Sequence, residues 1–373
     1  MNLSYWERKT WLTDIDYAIV GSGIVGLNCA LALRKKHPKS KIVVFERGIL
    51  PSGASTKNAG FACFGSLSEI LDDLKTHSEE EVVQLVRARV EGLQLLRKTL
   101  GDTQLNYLEY GGYELFSEND NSLFNTCSSK INTINKLLKP VFQAPVFSTV
   151  KNPFGFQNIH PTLIFSQFEG QIDTGSMMQG LLKKASEASI LILNGVEVTQ
   201  ISEHTNSVSI QLNHSEELSV KNLSIATNGF AKQFLNEDVT PARAQVLITK
   251  PIKNLAIKGT FHLEEGYYYF RNINDRILFG GGRNLDFSAE ETMQMELTSL
   301  VQNKLESLLN TTILPNTSFE IDHRWSGIMG VGKQKKPIVK RISDHVTCGV
   351  RMGGMGVAIG SSVGQQLANL TAE

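Results

Sequence analysis

An excess of charge of one sign is missing from this sequence. Its 37 lysines and arginines balance 37 aspartates and glutamates, so no overall field attracts nucleic acid or an anionic membrane surface. Long hydrophobic runs are missing too, since no stretch approaches the ~20 apolar residues that a membrane-spanning helix needs. We therefore expect neither a nucleic-acid partner nor a membrane span.

Cysteine is scarce, with four residues at positions 29, 63, 127 and 348. None of them forms a C-x-x-C pair, so the sequence predicts no metal site and no disulfide framework. Residues 1–14 carry charges and lack the apolar core of a signal peptide. These absences favour a cytoplasmic protein.

A glycine motif stands near the start of the chain. The apolar run 16–20 predicts a buried strand, and an apolar pattern of helical period follows over residues 24–36. Between them, Gly21 allows a sharp turn, Gly23 lets a pyrophosphate approach the backbone, and Gly26 lets the helix pack closely on the sheet. The helix N-terminus offers N–H groups and partial positive charge to phosphates. The motif predicts a dinucleotide site.

An acidic residue supports this site. Residues 41–45 predict a second parallel strand, and Glu46 follows them, twenty positions after Gly26. An acid at this place binds a ribose 2′-hydroxyl, and its charge would repel a 2′-phosphate, which disfavours NADP. An ordinary strand–turn–helix unit is the alternative, and the glycine spacing together with Glu46 argues against it.

Further along, the pattern predicts a second region of different character. The small residues of the loop 47–65 indicate backbone packed against a ligand, with a plain surface loop as the alternative. The sequence also predicts amphipathic helices over 79–100 and 290–309 and two strands meeting at Gly111 and Gly112.

Aromatic and β-branched residues concentrate in the middle of the chain. Residues 245–249, 266–271 and 276–281 predict an antiparallel sheet, the last two strands joined by a turn. A glycine-dense turn at 353–356 then precedes a predicted helix at 361–370.

Taken in order, these motifs resemble the FAD-dependent glycine/D-amino-acid oxidase family, which includes sarcosine oxidases and gamma-glutamylputrescine oxidases. The segments 267–271 and 275–282 are similar to the gamma-glutamylputrescine branch in particular. The motifs that carry the resemblance span most of the chain: Gly21 to Gly26, Glu46, Gly53-Ala54-Ser55 with Asn58-Ala59-Gly60, Ala226-Thr227-Asn228-Gly229, Arg324-Trp325-Ser326-Gly327, and Gly353-Gly354-Met355-Gly356 with Gly364 and Leu367-Ala368.

The resemblance implies an α/β protein in which a Rossmann-like FAD-binding domain is interleaved with an α+β substrate domain. The FAD-binding domain would comprise residues 1–75, 160–235 and 320–373. The substrate domain would comprise 76–159 and 236–319 and carry a mostly antiparallel sheet above the flavin.

The resemblance also implies the cofactor contacts. The first three glycines would touch the pyrophosphate, Glu46 the ribose, and the C-terminal glycine turn the flavin N1 and C2 carbonyl, where donors stabilise the charge of reduced flavin. The residues expected to bind FAD are Gly21, Gly23, Gly26, Glu46, Arg47, Ala54, Ser55, Asn58, Val198, Gly353, Gly354, Met355 and Gly356.

Three departures from the family pattern qualify the resemblance. Sarcosine oxidases tether the flavin through a cysteine shortly after the motif that Arg324–Gly327 resembles; here Ile328, Met329 and Gly330 follow, so FAD should be held non-covalently. Ala358 stands where sarcosine oxidases place a lysine that helps activate oxygen, which leaves open whether oxygen or another acceptor takes the electrons. Arg351 replaces a family glycine and is a candidate for a substrate-specific role.

A substrate carboxylate would need an arginine in a dry pocket. Period two places Tyr267, Tyr269 and Arg271 on one face of a strand, where they would form an aromatic wall with a carboxylate clamp. An exposed sheet face or an interface is the alternative. Arg243 and Arg283 are further clamp candidates.

The family implies an oxidoreductase that removes a hydride from a carbon bearing an amine, after which the imine hydrolyses. We expect an amino acid or N-substituted amine as substrate. Oxidation of a 2-hydroxy acid, a non-catalytic FAD-binding protein and an NAD-linked dehydrogenase are the alternatives.

Overall fold

The structure is a computed structural model that describes residues 3–372. The first two residues and Glu373, which fall in the predicted FAD-binding segments, lie outside this range. The helices are α1 (Tyr5–Glu7), α2 (Ile24–Lys36), α3 (Ala54–Lys57), α4 (Leu67–Thr76), α5 (Glu79–Leu100), α6 (Asp102–Leu105), α7 (Asn121–Phe142), α8 (Thr174–Glu187), α9 (Phe287–Glu290), α10 (Ser299–Leu308) and α11 (Gly356–Thr371).

The strands form two large sheets and one small two-stranded sheet. The strands are β1 (Ile15–Val20), β2 (Ile42–Glu46), β3 (Phe61–Ala62), β4 (Gly112–Leu115), β5 (Phe147–Lys151), β6 (Thr162–Ser166), β7 (Gly170–Gln171), β8 (Leu191–Asn194), β9 (Val198–His204), β10 (Ser207–Leu212), β11 (Glu216–Ile225), β12 (Thr240–Thr249), β13 (Thr260–Leu263), β14 (Tyr268–Ile273), β15 (Arg276–Gly281), β16 (Ile321–Val331), β17 (Ile338–Arg341) and β18 (Val346–Val350).

The first sheet has the order β17-β18-β11-β1-β2-β8, with β9 and β10 attached at β11. Strand β1 is parallel to both β2 and β11, and its last residue, Val20, pairs with Phe45 and Ile225. The carboxyl ends of three strands therefore meet at one edge, which is where open α/β sheets bind ligands.

Strand β1 is buried on both faces, which explains its unbroken apolar run. Tyr17 and Ile19 pack into a core with residues of α2 and α11, whereas Ala18 and Val20 pack with residues of β10 and β11. The predicted strand, turn and helix over residues 16–36 are thus present in the structure.

Helices α2 and α11 come from opposite ends of the chain and pack closely. A Cβ atom at Gly364 would lie 2.6 Å from the Val25 carbonyl oxygen, and one at Gly360 would lie 2.7 Å from Cγ2 of Ile24. Only glycine permits this approach. The contact brings the N-termini of both helices to the same side of the first sheet.

The second sheet has the order β16-β12-β15-β14-β13-β4-β6-β5. All its neighbouring strands are antiparallel except β13 and β4, which are parallel. One face packs on α10, with the rings of Phe261 and Phe270 stacked 4.4 Å apart. The antiparallel strands predicted between residues 245 and 281 are confirmed.

Two predicted elements are wrong. The chain forms one strand, β4, at residues 112–115 and no hairpin at Gly111, because β4 pairs with β6 and β13 instead. The helix predicted at 290–309 is interrupted: α9 ends at Glu290 and α10 begins at Ser299. The Gln245 side chain bridges the two helices, because it donates to the Glu290 carboxylate and accepts from the backbone N–H of Thr298.

Some predicted boundaries also differ from the structure. The C-terminal helix begins at Gly356 instead of residue 361, so the glycine turn leads directly into it. Strand β6 pairs with β4 and β5, and β16 pairs with β12, so both belong to the second sheet, although residues 160–235 and 320–373 were assigned to the FAD-binding domain. The division into two domains stays a prediction. No helix within residues 3–372 is long and apolar enough to cross a bilayer.

Candidate cofactor and substrate site

The glycine turn after β1 has no room for side chains. Gly21 has a φ of 105° and donates its N–H to the Phe45 carbonyl at 2.8 Å. A Cβ atom at Gly21 would lie 2.8 Å from the Ala226 carbonyl oxygen, and one at Gly26 would lie 1.9 Å from the Gly21 carbonyl oxygen. These contacts fix the turn and hold α2 against β1, which leaves bare backbone at the start of the helix.

Glu46 is buried at the end of β2, beside this turn. Its carboxylate accepts hydrogen bonds from the Ser22 hydroxyl at 2.8 Å, the Ser52 hydroxyl at 2.9 Å and the Gly48 N–H at 2.9 Å. Two of these donors are hydroxyls, which can rotate to other acceptors. The carboxylate is therefore fixed in place while retaining the capacity to accept from hydroxyl groups of a ligand.

The small-residue loop lies over the N-terminus of α2. The Ser55 hydroxyl accepts from the Ile24 N–H at 2.9 Å, in space that a side chain at residue 23 would fill. The Asn58 amide accepts from the Gly60 N–H and the Thr174 hydroxyl, both at 2.9 Å. The loop is thus an ordered part of the site and not a free surface connection.

An aromatic ring that the sequence analysis missed lies beside Glu46. The guanidinium of Arg47 lies 3.8 Å from the centre of the Phe230 ring, close enough for a cation–π contact. Val198 is buried nearby, since Val196 donates its N–H to the Glu46 carbonyl. Phe230 follows the Ala226–Gly229 motif directly in the sequence, and this position could have marked it as a residue of the site.

The C-terminal glycine turn forms a second group of backbone donors. Gly353 and Gly354 have positive φ values of 56° and 82°. The turn is held because the Met352 N–H donates to the Asn228 side chain at 3.0 Å and the Gly353 N–H to the Gly330 carbonyl at 2.9 Å. Helix α11 begins at once, and no side chain caps its N-terminus.

One cavity of about 450 Å³ joins these two groups of donors. All the predicted cofactor-binding residues except Gly26 line it, as do Tyr267 and Tyr269. Its size falls within the range typical of cofactor and ligand sites. Gly26 lies behind the cavity because it packs α2 against β1.

Aromatic residues of the second sheet close the cavity near the C-terminal turn. The Phe61 ring meets Tyr269 edge-on with centroids 5.7 Å apart, and Cys63 Sγ lies 3.9 Å from Met355 Sδ. Strand β14 begins at Tyr268, so Tyr267 lies just before it and Tyr269 within it.

The structure places Arg271 and Arg351 outside the cavity lining. The Arg271 guanidinium donates to the backbone carbonyls of Ala59 and Ile172, the latter at 2.9 Å, and burial lowers the pKa of Arg271 to about 10. Arg351 pairs with the Asp238 carboxylate at 2.8 Å and donates to the Lys336 carbonyl. Both guanidinium groups hold backbone segments in place.

The two lesser arginine candidates differ from each other. Arg243 forms a buried ion pair with Glu290, with Nε 2.7 Å from a carboxylate oxygen. Arg283 lines the cavity, and its guanidinium lies 5.3 Å from the Tyr267 ring centre and 5.1 Å from that of Phe287.

A buried histidine in the cavity wall was also missed. His262 Nε2 lies 2.9 Å from the Glu169 carboxylate, and its ring meets Phe61 edge-on. Burial disfavours the imidazolium, but the charge of Glu169, its hydrogen bond and the charges of Glu69 and Glu114 together outweigh burial and raise the pKa of His262 to about 9. The raised pKa favours the protonated form of His262, paired with the Glu169 carboxylate.

The comparisons with known proteins agree with this geometry. The chain matches the FAD-dependent oxidoreductase family DAO over residues 16–370 and belongs to that family. It is therefore an FAD-dependent oxidase or dehydrogenase. It is 21% identical to a probable oxidoreductase, OrdL, from Haemophilus influenzae, covering 96% of this chain and 83% of that protein.

Solved structures of similar fold include two oxidases. Glycine oxidase from Geobacillus kaustophilus has a TM-score of 0.76 at 17% identity, covering 96% of this chain and 94% of that one. Iminodiacetate oxidase from Chelativorans sp. BNC1 has a TM-score of 0.75 at 16% identity, covering 95% of each chain. At this identity the likeness concerns the fold.

The residues present fit FAD. Glycines without room for a Cβ atom, a buried carboxylate and two helix N-termini line one continuous cavity. The donor set suits a ribose, phosphates and an electron-rich ring system.

Proposed function

We propose that this protein oxidises the C–N bond of an amino acid or N-substituted amine. When bound, FAD supplies the electron acceptor, taking a hydride from the carbon that bears the nitrogen. The imine product is then hydrolysed by water. The electrons pass on to oxygen or to another acceptor.

The observation that carries this proposal is the aromatic chamber at the C-terminal end of the cavity. The Phe61 ring meets Tyr269 of β14 edge-on at 5.7 Å, and Tyr267 lines the same cavity just before that strand. Cys63, two residues after Phe61, lies 3.9 Å from Met355 at the start of α11. Such a chamber would face the flavin end of a bound FAD, and not its adenine end, which suits a small substrate.

Desolvation supports oxidation of an amine in this chamber. Burial among aromatic rings disfavours the charged ammonium form, and a neutral amine is the form that releases a hydride. Positioning the C–H bond is then the main contribution of the walls. The raised pKa of His262 disfavours it as the base.

Backbone donors at the start of α11 would stabilise negative charge that develops on the cofactor. The helix has no side-chain cap at Met355, and its dipole is positive at this end. Donors fixed before reaction cost no reorganisation during it.

Anaerobic reduction tests the proposal. Purified protein should be yellow, and its flavin absorbance should bleach with at least one member of a panel of amino acids, N-methyl amino acids and polyamine derivatives. A parallel panel of 2-hydroxy acids should leave it oxidised. Bleaching by hydroxy acids alone would replace the proposal with the alternative reaction, and bleaching by neither panel, with dithionite still effective, would contradict it.

A further inference from the structure

Arg89 is a buried arginine in the wall of the cavity. It lies on α5, only 3% of its surface is exposed, and its side chain lines the same cavity as Tyr269 and Met355. Helix α5 packs on α11, since a Cβ atom at Gly92 would lie 2.2 Å from the Ala358 carbonyl oxygen. Arg89 stands one turn before that contact, beside the start of α11.

The guanidinium of Arg89 is not fully used by the protein. Its Nη1 donates to the Phe64 carbonyl at 2.5 Å, whereas Nε is buried without a hydrogen-bond partner. Within residues 3–372 no carboxylate forms an ion pair with Arg89. Glu69 lines the same cavity, but its carboxylate accepts from the backbone N–H and hydroxyl of Ser66.

The other buried arginines have hydrogen-bond or ion-pair partners that the Arg89 guanidinium lacks. Arg243 pairs with Glu290, Arg351 pairs with Asp238, and Arg271 donates to two backbone carbonyls. A buried charge without a counter-charge destabilises the fold, as does a buried donor without an acceptor. Arg89 has both defects and faces a cavity, so an anionic ligand is the missing partner.

We propose that Arg89 binds the carboxylate of the substrate, an inference that rests on the proposed amine oxidation. The bond from Nη1 to Phe64 leaves the edge formed by Nε and Nη2 for a ligand. This edge carries two parallel N–H groups, the arrangement that binds a carboxylate through two hydrogen bonds. The substrate class is therefore an amine that carries a carboxylate, and not a simple amine.

The charged groups near Arg89 are of both signs. His262 lines the same cavity and pairs with the Glu169 carboxylate at 2.9 Å, so that pair adds no net charge. Cys63 lies near Arg89 in the wall, and burial, the first of several causes, raises the pKa of its thiol, so it adds no negative charge. The aromatic rings around Phe61 exclude water and strengthen a charge-assisted hydrogen bond.

Carboxylate binding to the FAD-loaded protein tests the inference. Acetate, propionate and benzoate are titrated while the flavin absorbance spectrum is recorded, with benzamide as the neutral analogue of benzoate. At least one carboxylate should perturb the wild-type spectrum. Arg89→Met should raise its Kd by about 30-fold or more, because truncating one partner of a buried charged pair costs at least about 2 kcal/mol. The response to benzamide should be unchanged.

Two further variants make the test specific. Arg87→Met removes an exposed arginine from the same helix and should leave every Kd unchanged. Arg89→Lys keeps the charge but lacks the two parallel donors, so it should give a smaller rise; it decides the matter if Arg89→Met does not fold. An unchanged Kd in Arg89→Lys and Arg89→Met, or no carboxylate bound by the wild type, would overturn the inference.

The outcomes separate this inference from the proposed function. Should amines without a carboxylate bleach the wild type and Arg89→Met at equal rates, with amino acids inactive, amine oxidation would stand and the role of Arg89 would fall. Should Arg89→Met change the flavin spectrum or FAD affinity while carboxylate binding persists, the guanidinium contacts the cofactor and the inference is wrong. Should no amine bleach the flavin, the proposed function itself fails.

Discussion

The two ends of the cavity are built in different ways. At the end near Glu46, backbone groups of the glycine turn and one carboxylate face the cavity, and all lie within a short piece of chain. At the other end, side chains from α5, β13 and β14 converge on the start of α11. The first arrangement suits a constant ligand, and the second can vary with the substrate. We therefore expect substitutions at one end to change cofactor binding and substitutions at the other to change substrate choice.

Gly26→Ala should have the largest effect. Its Cβ atom would lie 1.9 Å from the Gly21 carbonyl oxygen, so α2 must move away from β1 and the phosphate site is lost. We expect protein that purifies with little or no flavin and has a lowered Tm, since overpacking costs about 1–3 kcal/mol. Gly175→Ala, whose Cβ would meet only the Asp173 carboxylate at 3.3 Å, should retain flavin. Full flavin content in Gly26→Ala would show that this end tolerates movement.

Glu46→Gln should weaken FAD binding without removing it. The amide keeps the shape of the side chain but loses a charged acceptor, and such hydrogen bonds contribute about 1.5–3 kcal/mol. We expect the Kd for FAD to rise by about 10- to 100-fold, with carboxylate binding to the reloaded protein unchanged. The exposed Glu217→Gln serves as control. An equal loss of carboxylate binding would mean that the two ends are coupled.

Tyr267→Ala should affect only the substrate end. It removes the ring below Arg283, a contact of the kind that contributes about 0.5–2 kcal/mol. The substrate concentration for half-maximal anaerobic bleaching should rise by about 2- to 30-fold, at normal flavin content. Tyr110→Ala removes a similar cation–π contact, with Lys258, outside the cavity lining and should change neither quantity.

His262 should produce the smallest effect, a change in the pH dependence of stability. Its pKa is raised to about 9 in the folded protein from an ordinary value of 6.5. The stabilisation is therefore complete below about pH 6.5 and declines as pH rises through about 9. The difference in unfolding free energy between wild type and His262→Gln, measured by denaturant titration, should shrink over this range. A constant difference would show that His262 is neutral.

The sequence predicted one end of the cavity far better than the other. The turn at Gly21 and the acid at Glu46 follow from local rules, because their spacing is fixed by a single strand–turn–helix unit. The same holds for α5, whose predicted bounds agree with the structure. Long-range pairing does not follow from local pattern, which is why the partners of β4 were wrongly predicted.

Arg89 is a site residue that the sequence could have indicated, because it is a charged residue on an apolar helix face. It lies between Val86 and Leu93 on the buried stripe of α5, where helical period places apolar residues. A charge on such a stripe requires a partner, yet the sequence does not say whether a carboxylate of the protein or a ligand supplies it. By contrast, Arg271 and Arg351 stood in suggestive motifs, and only the fold revealed that backbone carbonyls and Asp238 engage them.

The close glycine contact between α2 and α11 has a consequence for the order of folding. Gly360 and Gly364 of α11 lie against Ile24 and Val25 of α2, although the two helices are far apart in the sequence. Contacts between distant parts of a chain form more slowly than local ones. During refolding we therefore expect the glycine turn after β1 to form before the start of α11 is brought beside it.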